Sequence, residues 1–251
     1  MSWGFYQLPM DVKSQDYTAF STPFGSFKWL RMPIGLTNSP PTFQNLMEIV
    51  LAKLIWKTTV PYLDDCIIFA ATPEEHLRRV REVLVRFRAA KLKINPLKCE
   101  FFRTKVQFLG HVISKDGLQV DPEKIRAVKD FPVPTIQTHV KSLLGLCSYY
   151  RRYVKNFAEI ARPLHKASET SSPFNWTPEA QEAFENLKAC LVTTPILAFP
   201  SMKEPFILYT DASQTAMGAV LAQIQDGKER ANCYASKAFS RQTTPLLSAN
   251  F

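Results

Sequence analysis

Between positions 38 and 56 the apolar residues Phe43, Leu46, Met47, Val50, Leu51 and Leu54 recur at steps of three and four. That spacing lays a single stripe along a helix, with Asn38 or Ser39 placed to cap it. The period then shortens. Val60-Pro61-Tyr62-Leu63 and Cys66-Ile67-Ile68-Phe69-Ala70 are two β-prone runs flanking Asp64-Asp65, a strand-turn-strand pattern. Thr72-Pro73-Glu74-Glu75 reads as a capped helix start, and Leu77, Val80, Val83, Leu84 and Phe87 predict its buried stripe to about position 90. Residues 108–113 read as a strand, and Ser114-Lys115-Asp116-Gly117 as the turn of a hairpin. Helices punctuated by Pro122, Pro132, Pro134 and Pro163 follow, and a Ser/Thr-rich stretch at 168–172 marks a linker or subdomain edge. Residues 206–211 and 216–222 predict two more strands joined by the polar turn 212–215.

With 251 residues the chain can bury a core of one or two domains. Its net charge of +9 favours a polyanionic partner, nucleic acid first. Apolar runs stop short of spanning length and no basic amphipathic face is visible, so no membrane partner is expected. The five cysteines are odd in number and widely spaced, which suits reduced thiols rather than a zinc site. The first residues lack a signal-peptide pattern, and an intracellular setting, cytoplasmic or nuclear, is the expectation.

An acidic pair on a regular strand points to opposite faces, whereas at a hairpin turn both carboxylates can approach one metal site. Taken alone, Asp64-Asp65 is also what a solvated hairpin tip looks like. The neighbours change that reading. Tyr62-Leu63-Asp64-Asp65 resembles the tyrosine-x-Asp-Asp signature of reverse transcriptases, and Arg31-Met32-Pro33-Ile34-Gly35-Leu36-Thr37-Asn38-Ser39-Pro40-Pro41-Thr42-Phe43-Gln44 resembles that family's second palm motif. Leu92-Lys93-Ile94-Asn95-Pro96-Leu97-Lys98-Cys99 and Phe108-Leu109-Gly110-His111-Val112-Ile113-Ser114 continue the match in order. Leu144-Gly145-Leu146-Cys147-Ser148-Tyr149-Tyr150-Arg151-Arg152-Tyr153 and Arg162-Pro163-Leu164 resemble the post-palm region of gypsy-class LTR retrotransposon Pol polyproteins.

This resemblance implies an α/β (α+β) chain. A right-hand polymerase palm on an antiparallel sheet is expected over 1–116, a helical thumb and connection over 117–200, and an RNase H-like sheet over 201–251. It also implies roles. Asp64 and Asp65 would hold Mg²⁺ with a third Asp, which the family pattern places immediately before Met1. Phe5 would be the steric gate under the incoming sugar, Ile34 and Gly35 would shape the nucleotide pocket, and Lys98 would attend the departing pyrophosphate. Phe108, Leu109, Gly110 and His111 resemble the primer grip. Each has a plainer reading as well: a buried aromatic for Phe5, a solvated lysine for Lys98, an ordinary β-turn for 108–111, and for Gln44 merely a polar helix residue.

The basic run Lys141, Arg151, Arg152, Lys155, Arg162 and Lys166, interspersed with Tyr149, Tyr150 and Tyr153, could grip phosphates and stack on bases, or be a solvated helix. Of these Arg151, Arg152 and Lys155 are the candidate nucleic-acid contacts. Tyr209-Thr210-Asp211-Ala212-Ser213 with Met217-Gly218-Ala219-Val220-Leu221 resembles the first hairpin of a retroelement RNase H domain, which makes Asp211 its first metal ligand. The next acidic residue of that family is expected just after the region of Ser240-Arg241 and Asn250-Phe251, and Glu229 comes too early to replace it. The implied activity is RNA-directed DNA synthesis with an adjoining ribonuclease H, using an RNA template, a DNA primer, an RNA/DNA hybrid and deoxynucleotides. The expectation is that this chain alone completes neither site. A non-catalytic nucleic-acid-binding relic or domesticated protein is the alternative. A glycosidase pair at Asp64 and Asp65 is disfavoured, because such carboxylates must face each other across a bond.

Overall fold

A computed structural model describes residues 1–171 and 173–239. The chain forms two compact units, Met1–Arg103 and Thr104–Phe251. The expected Ser/Thr connection thus lies partly, and the 240–251 segment wholly, outside the described residues.

The first unit opens with a single helical turn, α1 (Val12–Gln15), and a small hairpin of β1 (Phe20–Thr22) and β2 (Gly25–Phe27). Helix α2 (Ser39–Val50) follows, with two prolines in its first turn where a missing N–H costs nothing. It stops at Val50, short of the periodic pattern, because the chain turns tightly through Lys53 and Trp56, both at positive φ. Strands β3 (Thr59–Tyr62) and β4 (Asp65–Ile68) pair antiparallel with Tyr62 opposite Asp65, which leaves only Leu63 and Asp64 in the turn. Helix α3 (Pro73–Ala89) starts as its sequence dictates, with Thr72 accepting a hydrogen bond from the Glu75 N–H at 3.2 Å. Its buried stripe is Val80, Val83 and Phe87, whereas Leu77 and Leu84 face solvent. Phe43, Met47, Leu51, Leu54, Val83 and Phe87 make the core of this unit, and Cys66 and Ile68 of β4 pack against it.

In the second unit β5 (Lys105–Phe108), β6 (His111–Ser114) and β7 (Gly117–Val120) form a meander. The strand expected over 108–113 is therefore interrupted. Leu109 and Gly110, both at positive φ, form a two-residue turn inside it. Gly117 is likewise left-handed, and a Cβ there would lie 2.1 Å from the Leu197 carbonyl. That close approach lets Leu118 and Leu197 exchange backbone hydrogen bonds at 2.8 and 3.0 Å. Helices α4 (Pro122–Lys129), α5 (Gln137–Tyr149), α6 (Phe157–Ile160), α7 (Arg162–Ala167) and α8 (Pro178–Val192) pack around Val128, Leu143, Cys147, Leu164, Phe184 and Leu187. The antiparallel sheet of β8 (Ile207–Ala212), β9 (Ala216–Gln225) and β10 (Lys228–Ala238) has β9 at its centre.

Candidate active sites

Asp64 sits in the two-residue turn and Asp65 at the first position of β4. Asp65 is exposed and Asp64 half-buried, with Oδ1 of Asp64 removed from solvent and lacking any hydrogen-bond donor. Two neighbours create that state. A Cβ at Gly4 would fall 1.9 Å from this oxygen, so only glycine leaves room for the carboxylate. Leu63 takes a φ of 48°, an unfavourable value for a branched side chain. Its N–H is held by Gln44 Oε1 at 2.8 Å. The amino group of Met1 donates to the Asp64 carbonyl at 2.9 Å, which puts the start of the chain beside the same turn. An unsatisfied, buried carboxylate oxygen is costly unless a cation completes it, and this donor chemistry fits a hard divalent metal. Among the described residues no three His, Cys, Asp or Glu side chains converge on a metal position.

Phe5 lies in a single 3₁₀ turn and meets Phe43 edge-on, ring centres 5.5 Å apart, so it borders the first core rather than filling it. Ile34 is exposed, and Gly35 takes a φ of 101° with open space where a Cβ would stand. Lys98 is exposed on the 3₁₀ turn Pro96–Lys98, whose start is capped by Asn95.

In the second unit three tyrosines converge on the turn of 108–111. The Tyr149 hydroxyl donates to the Leu109 carbonyl at 2.7 Å and the Tyr150 hydroxyl to the Gly110 carbonyl at 2.9 Å. The Tyr153 hydroxyl and His111 Nδ1 are 3.0 Å apart. His111 stacks on Tyr149 and Tyr153 and meets Tyr150 edge-on. Burial and the Arg152 charge hold the His111 imidazole below its usual range, with Asp121 opposing them. Burial pushes the Tyr150 phenol up to about 12, so its hydroxyl keeps its proton and can donate.

Asp211 is exposed near the end of β8, opposite Gly218, and borders a shallow pocket with Asn156, Glu159, Ser213 and Ser236. A Cβ at Gly218 would lie 2.6 Å from Asn156 Oδ1, so this glycine admits the segment that carries Glu159. The Ala158 N–H donates to Ser236 Oγ at 2.9 Å, and the Arg151 guanidinium donates to the Ser236 carbonyl while lying over the Phe157 ring. Arg151 is thus engaged within the fold, and like Arg152 and Lys155 it is exposed. Glu229 accepts from the Tyr209 hydroxyl at 3.0 Å.

Sequence reasoning left Gln44, Gly4 and Glu159 without a role at these sites. For Gln44 the signal was its place inside the second palm motif, and for Gly4 its place directly before Phe5. For Glu159 there was none, since its position beside Asp211 depends on packing between distant segments.

Residues 1–113 match the family described as reverse transcriptase (RNA-dependent DNA polymerase), and residues 176–246 match the RNase H-like domain found in reverse transcriptase. The retrovirus-related Pol polyprotein from transposon 297 of Drosophila melanogaster is 42% identical over 88% of this chain, and that from transposon gypsy of the same organism is 36% identical over 88%. The chain spans only 21% and 22% of those relatives' lengths. Among solved structures, the foamy viral protease-reverse transcriptase dRH in complex with double-stranded DNA superposes with a TM-score of 0.85 at 26% identity, covering 95% of this chain and 42% of that one. The foamy viral protease-reverse transcriptase in complex with RNA/DNA hybrid gives 0.82 at 25% identity, covering 98% and 35%. The half-buried Asp64 turn, the antiparallel palm sheet and these similarities agree: the chain carries a reverse transcriptase domain followed by an RNase H-like domain and belongs with the Pol polyproteins of LTR retrotransposons.

Proposed function

We propose that this chain supplies the catalytic turn of an RNA-directed DNA polymerase that works as part of a longer Pol protein. The observation that carries the reading is the buried, unpartnered Oδ1 of Asp64, in a turn braced by Gln44 and closed over by Gly4. Reverse transcriptase and RNase H-like domains generally depend on divalent metal. Asp64 and Asp65 are the residues that would hold it, and the finer assignment is Mg²⁺. When bound, the metal supplies charge neutralisation for attack of a primer 3′-hydroxyl on the α-phosphate of a deoxynucleotide.

The chain's own residues do the rest. Gln44 keeps the strained turn in one conformation, so the Asp64 carboxylate is preorganised. Phe5, resting against Phe43, presents a ring edge under the sugar and excludes a ribose hydroxyl. Ile34 and Gly35 border the nucleotide, Lys98 offers its ammonium to departing pyrophosphate, and 108–111 meets the primer end. Double-stranded DNA and RNA/DNA hybrid, the ligands in the foamy viral structures, are the partners this reading assigns. Asp211, with Glu159 beside it, is assigned to a ribonuclease H site.

The test is primer extension with Mg²⁺ on a primed RNA template. A Pol chain containing these residues is expected to extend, and Asp64→Asn in it to lower the rate at least about a hundredfold. Extension undiminished by Asp64→Asn would sink the assignment.

A further inference from the structure

The turn between β5 and β6 is not self-sufficient. Leu109 and Gly110 take φ values of 50° and 70°, and the left-handed region costs a leucine about 1–2 kcal/mol. Something outside the turn must favour this conformation over the alternatives open to two linked residues. The three hydroxyls supply it: Leu109, Gly110 and His111, consecutive in the chain, are each held by a different tyrosine from one short segment. Three such hydrogen bonds together are enough to offset the strain. Gly110 is required twice over, by its φ and because a Cβ would stand 2.9 Å from the Tyr150 hydroxyl.

Exposure separates clamping from packing. Tyr150 and Tyr153 are each 2% exposed and belong to the core, but Tyr149 is 55% exposed. A tyrosine left largely in water adds little to a core. Its hydroxyl nevertheless makes the shortest of the three contacts.

We propose that Tyr149, Tyr150 and Tyr153 are positioning residues of the polymerase, a hydroxyl clamp that fixes the Leu109–His111 backbone for the primer's 3′ end. The clamp acts through the turn and touches no reacting atom. This inference rests on the reading that the turn meets the primer terminus.

The experiment compares binding of the 251-residue chain, by fluorescence anisotropy, to a DNA duplex with a recessed 3′ end and to a blunt duplex of equal length. The wild type is expected to favour the recessed end about fivefold, the worth of one hydrogen bond. Tyr149→Phe keeps the ring and removes the hydroxyl. It should bring the preference to within about twofold while lowering the thermal midpoint by no more than a few degrees. Tyr149→Phe with Tyr150→Phe should abolish it. A wild-type preference that survives in both variants overturns the clamp and leaves the primer-grip reading standing. Equal binding of both duplexes by the wild type overturns the primer-grip reading itself, and the clamp with it.

Discussion

Gly4 shows how much one hydrogen atom can carry. Any larger side chain there collides with the Asp64 carboxylate as it stands, so the carboxylate must rotate away or the backbone must shift. Gly4→Ala is therefore expected to cost about 1–3 kcal/mol in unfolding free energy, measured by urea denaturation of the chain. A cost under about 0.5 kcal/mol would mean that Asp64 swings clear and that its buried position is not imposed. At this scale the acidic pair was legible in the sequence because its signature is contiguous. Gln44 was not, since its purpose appears only where Leu63, nineteen positions on, presents an unpaired N–H. Arg151 adds a contact that the sequence did not announce: its guanidinium donates to the Ser236 carbonyl, eighty-five positions on.

Elements were legible where local chemistry decides them. Thr72 with Pro73 started α3 as expected, and the β3–β4 hairpin formed around its acidic turn. The apolar period was a poorer guide to which face of α3 is buried, because Leu77 and Leu84 obey the spacing yet stand exposed. The uninterrupted strand over 108–113 failed for a related reason. Leu109 carries no turn signal, and the tyrosines that hold it in a turn lie forty residues away.

That contact has a pH dependence. His111 is held below its ordinary pKa by burial and Arg152 against the pull of Asp121, with Tyr149, Tyr150 and Tyr153 facing its ring; His165 is lowered by burial and Arg151. A depressed histidine is neutral in the fold, so its contribution is complete above the unfolded value near 6.5. As pH falls from there through the folded pKa, the unfolded chain takes up the proton first and stability is lost. Urea midpoints at pH 7.5 and 5.5 should show the second unit weakening on acidification. His111→Phe should reduce that difference. An unchanged difference in the variant would assign the effect elsewhere.

Across the whole molecule the order of motifs made the domain content legible, while the docking of the segment bearing Asn156 and Glu159 beside Asp211 was not, because nothing in either stretch announces the other. The net charge of +9 belongs to this scale too. Duplex affinity should fall linearly in log–log terms with added salt. Replacing Arg152 and Lys155 with Ala should flatten the slope by about two. A slope untouched by both changes would place the phosphate contacts on other cations.

The Leu118–Leu197 exchange, admitted by the missing Cβ of Gly117, joins the β7 edge to the chain just after α8, and the Ala198 N–H goes on to the Ala231 carbonyl. With α7 packed on α8 as well, covalent continuity between these two helices is redundant to the architecture. A protease that cleaved the connection between them would yield two polypeptides and leave the second unit folded, held shut by seams the cut never reached.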